Sequence, residues 1–256
     1  MPRTAKKGRI DLLLVERGLA ESQHQAQALL MAGLVTVDGR LVDKPGVLVA
    51  PSAKVELETP PPYVGRGGVK LAHALHIFAT DIAGATALDV GASTGGFTDC
   101  LLQHGAKRVY AVDVGYGQLH TRLRQDPRVV VMERLNARYS FELREKVDLA
   151  TVDVSFISLA KVLPSVAEHV KSKGHIIALA KPQFEAQRHQ VGKGGVVRDA
   201  AVHGEVLAKL IVWVVGHGFR LRGLTPSPLL GDAGNREFFL LLETPADSGR
   251  SRAGEP

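Results

Sequence analysis

The stretch Leu88-Asp89-Val90-Gly91-Ala92-Ser93-Thr94-Gly95-Gly96-Phe97 decides how this chain folds. It opens on the end of an apolar run, residues 87–90, turns through glycines and leads into a helical pattern. A strand that meets a helix through a glycine loop is the first unit of a doubly wound α/β sheet. Glycine lets the backbone approach a ligand closely, and the free N–H groups of the helix start favour polar or anionic atoms. The glycines fall at 91, 95 and 96, so the G-x-G-x-x-G spacing of a dinucleotide fold is missing. No Gly-Lys-Ser/Thr follows, which excludes a phosphate-gripping P-loop. What remains is D-x-G-x-x-x-G-G, a pattern typical of S-adenosylmethionine binding. Asp113 lies 24 positions after Asp89, at the end of the next expected strand. A carboxylate there can accept both ribose hydroxyls of an adenosine, or it can simply cap the following helix.

Working outward, residues 109–112, 129–131, 149–152 and 176–180 are further expected strands, with helical patterns between most of them. Residues 220–225 and 237–242 close the domain as an antiparallel pair. Strands alternating with helices predict an α/β fold with a Rossmann-like sheet. On the other side, Thr59-Pro60-Pro61-Pro62 marks a boundary, because consecutive prolines donate no hydrogen bonds and hold an extended chain. Before it, Ile10, Leu13 and Leu14 share a helix face that ends near Gly18. Ser22 caps a second helix, with Ala26, Leu29 and Leu30 inward and Gly33 as its stop. Val35-Thr36-Val37, Asp38-Gly39 and Arg40-Leu41-Val42 predict a hairpin with a type I′ turn, and residues 54–58 a closing strand. The expected organisation is a small α+β domain at 1–58, a linker at 59–64, a large domain at 65–244 and a disordered tail at 245–256.

Composition narrows the function classes. Of 256 residues, 45% are apolar and 23% charged, which fits a globular protein rather than a disordered one. The single cysteine, Cys100, excludes a disulfide framework and a cysteine-built zinc site. The ten histidines show no metal-ligand spacing, and no metal is expected. A formal charge of +6 invites polyanions without proving one. No run approaches the ~18 apolar residues of a membrane span, and the basic start lacks the apolar core of a secretory signal, so a cytoplasmic protein is expected.

Two methyl-transfer chemistries fall away. Carbon-5 pyrimidine methylation needs a thiolate, and Cys100 sits in the helix after the glycine loop, where a small buried residue is the simpler reading. Exocyclic-amine methylation usually has Asp/Asn-Pro-Pro-aromatic after the fourth strand, where this chain has Asp153-Val154-Ser155-Phe156. Four ionisable residues stand at element ends instead: Lys70, Asp153, Lys181 and Glu237. They are either a neutral network in the crevice at the carboxyl ends of the strands or four unrelated surface charges.

At these residues the chain resembles the TlyA/haemolysin A family of ribosomal RNA methyltransferases, with its FtsJ-like catalytic domain and S-four-type RNA-binding domain. The similar stretches are 65–71 (Gly-Arg-Gly-Gly-Val-Lys-Leu), 89–98, 113–119, 153–159 (Asp-Val-Ser-Phe-Ile-Ser-Leu), 181–185 (Lys-Pro-Gln-Phe-Glu) and 234–239 (Gly-Asn-Arg-Glu-Phe-Phe). The resemblance implies S-adenosylmethionine-dependent methylation of a ribose 2′-hydroxyl, of cytidine, in ribosomal RNA. It makes Lys70, Asp153, Lys181 and Glu237 the catalytic tetrad, and Asp89, Gly91, Ala92, Ser93, Thr94, Gly95, Gly96, Asp113, Val114, Asn136 and Asp153 the cofactor residues. Lys181 would take the hydroxyl proton or stabilise the oxyanion.

RNA contacts are expected from the basic arm Arg3, Lys6, Lys7 and Arg9 with Arg17, and from Arg66, Arg134 and Arg138 around the crevice. Phe156 is either a ring that stacks on the target base or the cofactor, or ordinary core. Residues 187–197 read as a mobile lid. The expected partners are ribosomal subunits, with a monomer favoured. The alternatives are a non-catalytic RNA-binding or ribosome-assembly factor and, from the family's older name, a pore-forming haemolysin.

Overall fold

A computed structural model describes residues 7–58, 61–231 and 233–245. Arg3 and Lys6 of the basic arm, and the tail from residue 246 on, lie outside the described residues. The chain forms two compact units that divide between Pro61 and Pro62.

The first unit runs β1 (Gly8–Arg9), α1 (Ile10–Glu16), α2 (Gln23–Met31), β2 (Val35–Val37), β3 (Arg40–Leu41), β4 (Leu48–Val49) and β5 (Val55–Leu57). Ser22 caps α2 by accepting from the Gln25 N–H at 3.2 Å. Asp38 and Gly39 take φ of 50° and 75°, the two positive values of a type I′ turn, and β2 pairs with both β3 and β5. Ile10, Leu14, Ala26, Leu30 and Val35 are fully buried between the helices and this sheet. A two-residue pairing of β1 with β4 had no legible signal, since two residues carry no periodicity.

The second unit contains α3 (Arg66–Ile77), β6 (Thr86–Val90), α4 (Gly96–Gln103), β7 (Arg108–Asp113), α5 (Thr121–Arg124), β8 (Val129–Glu133) and β9 (Val147–Val152). There follow α6 (Leu163–Ala167), β10 (Val170–Ala180), α7 (Pro182–Glu185), α8 (Ala200–Gly216), β11 (Arg220–Pro226) and β12 (Phe238–Glu243). Seven strands form one sheet in the order β11-β12-β10-β9-β6-β7-β8. β12 runs antiparallel between β10 and β11, while the pairs β10–β9, β9–β6, β6–β7 and β7–β8 are parallel. All five residues of β6 are buried, as a strand covered on both faces requires. One apolar cluster fills each face of the sheet, with Leu88, Ala150 and Leu240 in one and Ala87, Leu149 and Leu241 in the other.

Of the stretch read as a linker, residues 62–64 are part of the second unit. The Gln103 side-chain amide donates to the Pro62 carbonyl at 2.9 Å, and the Val64 N–H donates to Asp99 Oδ2 at 2.9 Å. The starts of α3 and α4 then come into direct contact. A Cβ on Gly68 would lie 2.3 Å from the Tyr63 ring, and one on Gly96 would lie 2.9 Å from the Gly68 nitrogen. Only glycine permits that approach, which brings the first turn of α3, with Lys70, against the glycine loop.

Candidate active site

β6 lies between β7 and β9, where the order of the sheet reverses, so the carboxyl ends of β6 and β9 open a crevice. Gly91 crosses this point with φ of 86°, and a Cβ there would sit 2.2 Å from the Asp153 carbonyl oxygen. Glycine is needed twice over, for the left-handed backbone and for the contact. Ser93, at the crest of the loop, donates its N–H to Asp113 Oδ2 at 2.7 Å, and Gly115 donates to Oδ1 at 2.7 Å. The carboxylate at the end of β7 is thereby held in one orientation beside the loop.

The crevice has two compartments that share Gly91, Ser93, Asp153 and Ser155. One, about 470 Å³, is lined by Asp113, Val114, Asn136 and Arg138, with apolar walls from Leu135, Ala137, Val154, Ile157 and Val162. The other, about 370 Å³, is lined by Arg66, Ala92, Thr94 and Gly96 together with Lys70, Asp153, Lys181 and Glu237. An apolar slot with a carboxylate at its rim, opening onto a charged chamber, suits a nucleoside joined to a charged amino-acid arm.

The four charges come from α3, the end of β9, the end of β10 and the residue before β12, and they form two pairs. Lys70 Nζ lies 2.6 Å from Glu237 Oε2, with side-chain exposures of 10% and 3%. Lys181 Nζ lies 2.6 Å from Asp153 Oδ1 and donates to Ser155 Oγ at 3.1 Å. Asp153 Oδ1 is buried, and the Lys181 ammonium is its charge partner. Four charges gathered in one cavity are not a scatter of surface charges.

Some expected site residues lie elsewhere. Asp89 is fully buried behind the loop and lines neither compartment; its oxygens accept from Thr98 Oγ1 at 2.6 Å and Thr151 Oγ1 at 3.0 Å. Burial pushes its carboxyl up to about 6, with the Asp153 charge adding to the rise and the threonine bonds opposing it. Gly95 also turns away, facing Leu119 and Leu123. Cys100 is buried and its thiol is pushed up to about 12, so it is no nucleophile.

Arg9 and Arg17, expected on phosphates, are anchors of the first unit. Arg9 makes a two-bond pair with Asp11 at 3.0 and 2.7 Å, and Arg17 donates to the carbonyls of Pro51 and, at 2.8 Å, Ala53. Lys7 is exposed. Arg66 donates to the Leu230 carbonyl at 2.8 Å while lining the charged chamber. Arg134 stacks over Tyr116 at 4.2 Å, and Arg138 lies over Tyr139 at 5.6 Å on the rim of the larger compartment.

Phe156 is not core. It is 90% exposed at the crevice with φ of 63°, rare for an aromatic residue, and its ring lies 5.0 Å from that of Phe184. The segment read as a lid is tied down at its far end: Asn235 accepts from the Val197 N–H and donates to the Gly195 carbonyl, both at 2.9 Å. Ser155 and the apolar walls of the larger compartment were not singled out from the sequence. Ser155, Val154 and Ile157 stand inside the stretch 153–159, whereas Leu135, Ala137 and Val162 come from segments whose facing is set by the sheet.

Fold and site together define an α/β methyltransferase carrying a small α+β domain at its N-terminal side. The chain belongs to the FtsJ-like methyltransferase family, which matches residues 63–244, and an S4 domain matches residues 8–55. It is 44% identical over 254 residues to the 16S/23S rRNA (cytidine-2′-O)-methyltransferase TlyA of Mycobacterium tuberculosis, covering 98% of this chain and 95% of that one. Hemolysin A of Brachyspira hyodysenteriae is 39% identical over 233 residues, 90% of this chain and 97% of that one. A solved structure from Streptococcus thermophilus, described as a candidate hemolysin, superposes with a TM-score of 0.72 at 44% identity over 94% of this chain and 89% of that one. Among the described residues no helix is long and apolar enough to cross a membrane.

Proposed function

We propose that this protein transfers the methyl group of S-adenosylmethionine to a ribose 2′-hydroxyl of ribosomal RNA, at a cytidine. The observation that carries the reading is the union of two lysine–carboxylate pairs in one chamber that opens onto a nucleoside-sized slot. Asp113 would hold the ribose hydroxyls of the cofactor, with Val114 and Asn136 beside the adenine and loop 91–96 around the amino-acid arm. When bound, the cofactor supplies a methyl group on a sulfonium centre, an electrophile that needs no metal.

A ribose hydroxyl is a weak nucleophile, so most of the protein's contribution is alignment and charge. Lys181, oriented by Asp153 and Ser155, holds the attacking oxygen and its developing negative charge, and the hydroxyl proton leaves through the Lys181–Asp153 pair to solvent. Lys70 and Glu237 neutralise each other in direct contact on the chamber wall. Arg66 and Arg138 at the rim, with Arg134 nearby, grip the RNA strand, and Phe156 offers an exposed ring for a splayed base. The S4 domain and the residues before it, Arg3, Lys6 and Lys7, supply contacts that carry no sequence information. Ribosomal subunits are the proposed substrates, which makes the protein a cytoplasmic one.

The test is transfer of labelled methyl from S-adenosylmethionine to separated, unmodified ribosomal subunits. The expected product is one alkali-resistant linkage in the RNA, with Lys181→Ala reduced at least about 100-fold. Label on a base, or full activity in Lys181→Ala, overturns the reading. Cofactor binding without transfer to either subunit favours the non-catalytic assembly factor.

A further inference from the structure

Residues 153–159 and 181–185 run beside each other and are joined by a ladder of contacts. The first rung is Lys181 on Asp153 and Ser155, at 2.6 and 3.1 Å. The next is Phe184 against Phe156, with ring centroids 5.0 Å apart. The last is Glu185, whose Oε2 accepts from Ser158 Oγ at 2.6 Å and whose Oε1 accepts from the Leu159 N–H at 2.7 Å. Lys181 and Phe156 face the crevice, whereas Glu185, Phe184 and Ser158 line neither compartment.

Two features make the last rung decisive. α7 is a single turn of four residues, too short to hold its own position, so what fixes it is its contacts. Phe156 takes a left-handed backbone conformation that its surroundings must maintain. Glu185 meets both needs by clamping the end of α7 to the segment that carries Asp153 and Phe156. Burial raises its carboxyl above the ordinary range, yet both oxygens keep a donor.

We propose that Glu185 is a positioning residue for methyl transfer: by binding Ser158 and the Leu159 N–H it sets Lys181 against Asp153 and holds the Phe156 ring at the mouth of the site. The proposal rests on the reading of the site given above. It assigns to a carboxylate outside the cavity control over a lysine and a ring inside it.

The experiment compares wild type, Glu185→Ala, Glu185→Gln and Ser158→Ala in the full chain with separated, unmodified ribosomal subunits as substrate. It reads kcat per cofactor-binding site, KM for RNA, cofactor Kd by calorimetry and Tm. Misplacement of a reacting group by about 1 Å costs on the order of 100-fold. Glu185→Ala is therefore expected to lose about 10- to 100-fold in kcat, with KM and Kd within about threefold. Glu185→Gln is expected to recover kcat to within about threefold of wild type, because the amide oxygen still accepts from the Leu159 N–H. Ser158→Ala removes one bond of the clamp and is expected to lose about threefold or more in kcat, which keeps the test decisive if Glu185→Ala fails to fold. Unchanged kcat in the alanine variants overturns the proposal, as does a loss confined to Tm and to the fraction of sites that bind cofactor. An active wild type with an equally active Glu185→Ala refutes this proposal alone, and an inactive wild type refutes the function it rests on.

Discussion

The Lys70–Glu237 pair allows stability and catalysis to be separated in one series. The two charges lie 2.6 Å apart with side-chain exposures of 10% and 3%, and a Cβ on Gly231 would come within 2.5 Å of Glu237 Oε1. Lys70→Met thus leaves a buried carboxylate without its contacting ammonium, and Glu237→Leu leaves a buried ammonium without its carboxylate. Breaking such a pair costs about 3–5 kcal/mol, whereas replacing both partners by apolar groups of similar volume is often neutral or stabilising. Each single variant is expected to lose about 3–5 kcal/mol, and Lys70→Met/Glu237→Leu to return within about 1 kcal/mol of wild type. The exposed pair Lys171–Asp148, at 52% and 36%, is the control, with about 0–1 kcal/mol expected for removing Lys171. Urea unfolding followed by the single tryptophan, Trp213 in α8, reports on the methyltransferase unit alone. Methyl transfer should be lost in both singles and stay lost in the stable double variant. A cost below about 1 kcal/mol for Lys70→Met, or singles that simply add in the double, refutes the claim of a coupled buried pair.

Two further outcomes follow from the crevice. Asp113→Ala removes the acceptor that the loop N–H of Ser93 orients, and cofactor Kd by calorimetry should rise about 10- to 100-fold, the worth of a hydrogen bond to a charged group; a change under about twofold refutes the assignment. Asp89, pushed up to about 6 by burial, binds its proton more tightly folded than unfolded, so the stability that Asp89 itself contributes falls as pH rises between about 4 and 6. That loss is about 3 kcal/mol, and Asp89→Asn escapes it: the stability gap between variant and wild type should shift toward the variant by that amount from pH 4 to pH 7, and a gap independent of pH refutes the cause.

Much of the methyltransferase unit was legible because its signals are local. Most of the strands are short apolar runs, and all seven expected in the large unit form, with β10 starting six residues earlier than expected and the other ends shifted by no more than two. The Asp38-Gly39 turn and the Ser22 cap act within four residues of chain. Asp89 and Gly95, expected among the cofactor residues, line neither compartment for a reason of the same kind. A motif says which residues build a loop, but not which of them face outward, and Asp89 serves the loop from behind through Thr98 and Thr151. Arg9 and Arg17 were read as phosphate contacts from charge alone, yet charge says nothing of the partners a fold supplies.

The sequence by itself therefore determined the α/β class, the glycine loop, the two-part organisation and the residue types of the site, since these depend on backbone freedom and hydrophobic period. Only the tertiary structure decided that Lys70 pairs with Glu237 and Lys181 with Asp153, that Phe156 stands exposed, and that Glu185 braces the loop beneath it. Those residues are separated by up to 167 positions, and what brings them together is the order of strands in the sheet. That order is set by packing summed over the whole unit, and no local stretch of the chain carries it.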